Sequence, residues 1–196
     1  SPEVGDQAML TNLQEILAFK EEHPQQVVLL LGNHDIQYRF YPDFRCSGFR
    51  ANLQKRLSAL FVAHGASFQV AYQYRDYLFT HAGVTRRWYD KHEALILETW
   101  EKGNFDEFAD VLNALAAAGH LPILGEIGEE RGGLPGDDGG PFWADITESS
   151  REPFFDYHQV VGHTKVEDIS RVNLGPSSVT YVDVLNTRTK FFSFET

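Results

Sequence analysis

The stretch Val27-Val28-Leu29-Leu30-Leu31-Gly32-Asn33-His34-Asp35 decides how this chain is read. Five apolar residues in a row are too few for a buried helix. They fit a strand covered on both faces, as in a parallel sheet. Before them, Met9, Leu13, Ile16 and Leu17 recur at helical spacing, which predicts a helix over 6–22 ended ahead of Pro24. A helix feeding such a strand predicts an α/β layered fold. The strand then breaks at a glycine followed by an amide, an imidazole and a carboxylate.

The same local pattern recurs twice. Tyr77-Leu78-Phe79-Thr80 runs into His81-Ala82-Gly83, and Val160-Val161 runs into Gly162-His163-Thr164. In open α/β sheets ligands bind beyond the carboxyl ends of the strands. Neighbouring strands lie about 4.8 Å apart. Three strand ends can therefore bring three imidazoles into one pocket, and three nitrogen or oxygen ligands from separate loops suit zinc, manganese or iron.

Elsewhere the patterning is ordinary. Ser47 is placed to cap a second helix with Phe49, Leu53, Leu57, Leu60 and Phe61 along one stripe. Strands over 67–74 and 77–80 meet at a tight turn, Arg75-Asp76. Residues 88–118 read as mostly helical, with Phe105, Phe108, Val111, Leu112 and Leu115 on one face. Residues 119–141, rich in Gly, Pro and acid, read as a long surface loop, either a lid or a spacer. Three more strands are expected at 169–173, 179–185 and 189–194.

With 196 residues the chain can bury a sizeable core. A net charge of -11 repels phosphate backbones, so no nucleic acid is expected as a partner. No apolar run nears the roughly 20 residues of a membrane span, and no signal peptide is visible. The expectation is a cytoplasmic protein with no membrane partner. The single cysteine, Cys46, rules out an internal disulfide framework and a Cys-rich zinc site.

Taken in order, Gly32-Asn33-His34-Asp35, Thr80-His81-Ala82-Gly83 and Gly162-His163-Thr164 resemble the later motifs of the calcineurin-like metallophosphoesterases. Trp143-Ala144-Asp145 is similar to a Trp-containing segment of the phosphoprotein phosphatase branch. The resemblance implies two packed mixed β-sheets flanked by helices in a single domain over 1–196. It implies Asn33, His81 and His163 as ligands of one metal in a dinuclear site, with manganese expected and iron or zinc as alternatives. His34 would face the substrate and protonate the leaving oxygen, and Asp35 would hold its ring. The alternatives are a structural role for His34 and a plain cap for Asp35. The implied activity is metal-dependent phosphoester hydrolysis, most simply of phosphoserine or phosphothreonine in a phosphorylated protein. A dinucleoside polyphosphate hydrolase and a non-catalytic phosphate-binding remnant are the alternatives.

Two motifs of that family, Asp-x-His and Gly-Asp-x-x-Asp, have no counterpart here. Gly5-Asp6 matches in part, but Gln7-Ala8-Met9 follows it. The expectation is a domain lacking its first βα portion, poorly active or inactive alone, with an apolar sheet edge exposed. Lys165 stands where many members have another histidine and is not a ligand while protonated. Arg39, Arg45, Arg50, Arg86 and Arg87 are read as surface residues more than as phosphate contacts.

Overall fold

The computed structural model describes residues 5–194. The chain divides into two compact units, the first ending at Gln69 and the second beginning at Val70.

In the first unit α1 (Asp6–Glu22) matches the expected helix. Its pattern does not translate into burial: Leu10 and Leu17 are buried, whereas Ile16 and Phe19 are exposed. β1 (Leu29–Leu30) keeps only two residues of the apolar run and pairs in parallel with β2 (Phe68–Gln69). Leu29 and Leu30 are half-buried and Val28 is exposed, so among the described residues this strand is not covered on both faces. α2 (Asn33–Arg39) starts directly after the strand. α3 (Gln54–Ala63) begins seven residues beyond Ser47, which lies in a turn; Leu57 and Phe61 are its buried stripe.

The second unit is built on a mixed five-stranded sheet of order β3-β4-β5-β7-β6. β3 (Ala71–Tyr74) and β4 (Tyr77–Thr80) form the expected hairpin, with Arg75 at φ 56° in its turn. β5 (His158–Val161) lies parallel to β4 and to β7 (Ser177–Tyr181). β6 (Ser170–Leu174) closes the other side antiparallel to β7. Every residue of β7 is buried, and so are Gln159, Val160 and Val161 of β5. Val160, Val161, Val179 and Tyr181 supply the apolar part of this core, whereas Gln159, Ser177, Ser178 and Thr180 are buried polar residues.

Residues 88–118 resolve into two helices, α4 (Arg86–Gly103) and α5 (Phe108–Ala117). Thr85 caps α4, its hydroxyl accepting the Trp88 N–H at 3.1 Å. Asn104 ends it in the left-handed region, which Asn tolerates better than most residues. α5 presents Phe108, Val111, Leu112 and Leu115, all fully buried. It is also clamped to the sheet. The Asn113 amide accepts from Val70 N and Ala71 N and donates to Ala71 O.

The expected strand at 189–194 does not form. The Phe194 ring instead stacks on Tyr77 at 4.3 Å. The structure is therefore α/β with a mixed sheet. No helix among the described residues is long and apolar enough to cross a membrane.

Candidate functional site

β4 and β5 are adjacent and parallel, with Thr80 opposite Val161. The residues that follow each strand leave the sheet at the same end. The backbone there is stitched, since Gly162 N donates to His81 O at 2.9 Å. This places the two rings together: His81 Nε2 lies 3.0 Å from His163 Nδ1, a hydrogen-bond distance in which one ring donates and the other accepts.

His163 is held in an unusual backbone. Its φ is 62°, and Thr164 N donates to Gly162 O at 2.7 Å across it, a tight three-residue turn of a strained kind. Strain of this type costs on the order of 1–3 kcal/mol and persists only where the surroundings enforce it. Here Trp143 packs edge-on against the His163 ring at 5.5 Å. On the His81 side, Ala82 N donates to Pro141 O. Gln159, with no exposure, bonds both the N–H and the C=O of Val84 at 2.8 Å.

The 119–141 stretch supplies the wall, and it is more ordered by contacts than its composition suggests. It contains a short helix, α6 (Leu121–Leu124), and a single 3-10 turn over Glu129–Arg131. Gly139 and Gly140 pass so close to the backbone of Trp143 and Leu124 that a Cβ would collide. Glu148, 1% exposed on α7 (Ile146–Arg151), accepts the N–H groups of Gly139 and Asp145, both at 2.9 Å. Buried Asp138 is paired with Arg151 at 3.1 Å. Arg131 bonds Asp145 through Nε at 2.7 Å and Thr164 Oγ1 through Nη2 at 2.8 Å.

In the first unit, Asn33 and His34 open α2, Asn33 buried and His34 exposed. Asp35 accepts the Gly32 N–H at 2.8 Å and so caps the helix. Its side chain keeps a partly accessible edge, yet the carboxyl is surrounded closely enough for desolvation to raise its pKa from 3.8 to about 6. His34 Nδ1 lies 3.5 Å from Gln37 Nε2 and 3.7 Å from Cys46 Sγ. A cavity of about 290 Å³ opens beside them, walled by Met9, Leu13, Ile16 and Phe61. Asp6, the partial motif match, pairs with Arg50 and Asn52.

Several arginines weighed in the sequence are engaged elsewhere. Arg39 donates to Phe61 O, Arg45 lies over the Phe49 ring, Arg86 pairs with Asp90, and Arg87 donates to Gly136 O. Arg131 and Glu148 were not singled out in the sequence. Their roles depend on contacts between segments far apart in the chain, which carry no local signal.

No family model and no curated protein matches this chain. Solved structures do. A cold-active protein-tyrosine phosphatase of the psychrophile Shewanella sp. is 18% identical, with 90% of this chain and 55% of that chain covered and a TM-score of 0.48. A cold-active protein tyrosine phosphatase structure at 1.1 Å is 22% identical, with 87% and 54% covered and a TM-score of 0.48. The chain thus spans about half the length of the structures it matches.

These results correct the resemblance to calcineurin-like metallophosphoesterases. The matched structures are named as protein tyrosine phosphatases, not as serine/threonine phosphatases, dinucleoside polyphosphate hydrolases or metallophosphoesterases. The manganese or other dinuclear centre is corrected on the ligand set. Among the described residues no group of three or more His, Cys, Asp or Glu side chains is placed to hold an ion. His81 and His163 offer two nitrogens where a stable site asks for three or four ligands. Burial pushes the thiol pKa of Cys46 up, the opposite of the shift that activates nucleophilic cysteines.

Proposed function

We propose that the second unit takes a phosphorylated substrate and hydrolyses its phosphoester, with His81 and His163 as the proton-transfer pair. The observation that carries this reading is the 3.0 Å contact between their ring nitrogens at the carboxyl ends of two parallel strands. Such strand ends are where α/β sheets bind ligands. A pair that shares one extra proton presents a positive charge to the phosphoryl oxygens. It gives that proton to the leaving oxygen as the ester P–O bond breaks. Water forms the new P–O bond, and the proton it loses returns to the pair. His34, exposed at the head of α2, is proposed separately as a functional residue of the first unit, with Asp35 fixing the turn that carries it.

Hydrolysis of p-nitrophenyl phosphate tests the pair. Turnover is expected to fall by about 10²–10⁴ in His81→Gln and in His163→Asn. The double variant should be little slower than the worse single, because the rings act as one unit. Full turnover in both single variants would remove the pair from the chemistry. His34→Ala is judged in the same assay, and an unchanged rate would leave it without a part.

A further inference from the structure

The Gly-rich wall brings a cation, Arg131, against Thr164, the residue that follows His163. Arg131 is gripped from two sides. Asp145 takes Nε at 2.7 Å, and Thr164 Oγ1 takes Nη2 at 2.8 Å. One partner adjoins the pair along the chain, and the other adjoins a segment that touches it. Thr164 follows His163 directly, and Asp145 lies two residues from Trp143, whose ring packs on His163. Asp145 is itself fixed, capping α7 through Thr147 N and held at its own N–H by Glu148. A guanidinium offers five N–H donors in a rigid fork. The two contacts use Nε and one hydrogen of Nη2, which leaves donors for an anion. The side chain is therefore preset before any ligand arrives, so little rotamer freedom remains to be lost on binding.

We propose that Arg131 is the phosphate anchor of the His81–His163 site. The proposal rests on reading the second unit as a phosphoester site, and it names the group that grips the dianion there. The ligand class is a phosphomonoester, with inorganic phosphate as the product that shares its recognition. Asp145 offsets part of the arginine charge, but it also holds the Nε side, so that the remaining donors meet the anion.

The chemistry and the anchor can be tested separately. Inorganic phosphate is titrated into the full chain while the Thr164 and His163 backbone amides are followed by NMR. p-Nitrophenyl phosphate hydrolysis is measured in parallel. In Arg131→Ala the phosphate affinity is expected to fall about tenfold or more, as for loss of a charge-assisted pair. KM should rise to match, with kcat changing less than about threefold. Arg131→Lys should recover only part of the affinity, because a point charge does not reproduce the fork. Thr164→Val, which frees one side of the guanidinium, should give an intermediate loss, and it serves as the second variant if Arg131→Ala does not fold. Wild-type phosphate affinity in folded Arg131→Ala overturns the anchor, as does a wild-type chain that binds no phosphate. Phosphate binding without hydrolysis in the wild type sinks the catalytic reading instead, and the titration still judges Arg131.

Discussion

Asp35 shows how one side chain can serve the backbone at a cost to its own charge. Its carboxylate caps α2, yet desolvation raises its pKa from 3.8 to about 6. Between those values the folded state holds a proton that the unfolded chain has released. The contribution to stability is therefore fully present below about pH 4 and is lost as pH rises through 6. The displacement corresponds to about 3 kcal/mol at most. Asp35→Asn keeps a cap acceptor without the charge, and losing the charge-assisted bond offsets part of the gain. We expect the variant to be more stable than wild type by about 1 kcal/mol at pH 7.5, with the difference vanishing below pH 4. Urea melts at the two pH values measure it, and equal differences at both would show that Asp35 does not titrate in this range. At this scale the sequence was informative about His81 and His163, because an apolar run, a glycine and an imidazole are all local. It was silent about Arg131, whose meaning comes from Thr164, 33 residues away.

At the level of elements, the loop leaving β4 is held by a residue of β5. Gln159 has no exposure and bonds both polar groups of Val84. In the sequence it sits in His158-Gln159-Val160-Val161 and reads only as a polar interruption of a strand. Replacing it with Leu would leave a buried N–H and C=O without partners, each costing about 1–3 kcal/mol. We expect Gln159→Leu to lower the unfolding free energy by about 2–4 kcal/mol in denaturant titrations. A loss below about 0.5 kcal/mol would mean that water replaces the amide. The same distinction explains which elements were legible. α1 and the β3–β4 hairpin follow from periodicity and turn chemistry. The strand expected at 189–194 does not form, and Phe194 packs on Tyr77 instead. The Gly-rich stretch read as a free loop because glycines permit close backbone approach as readily as they permit motion.

For the molecule as a whole, the two units differ in how their backbones are secured. The five-stranded sheet has a centre buried on both faces, whereas β1 and β2 pair over two residues each and leave Leu29 and Leu30 half-buried. Short, accessible ladders open more readily than enclosed ones. Hydrogen exchange should therefore protect the β5 and β7 amides more than the Leu31 amide, which bonds Gln69 O, by on the order of 100-fold. Equal protection would show that the units open together. The layered α/β class could be read from the sequence, while the division at Gln69 and Val70 could not, because no Pro- or Gly-rich linker marks it.

β4, β5 and β7 all run the same way, so the turns that precede β4 and β7, at Arg75-Asp76 and Gly175-Pro176, lie at the end of the sheet opposite the two histidines. Those hairpin tips are natural attachment points for a fluorophore, an affinity handle or a tether to a solid support. A molecule fixed there would keep its histidine face open to whatever solution flows past.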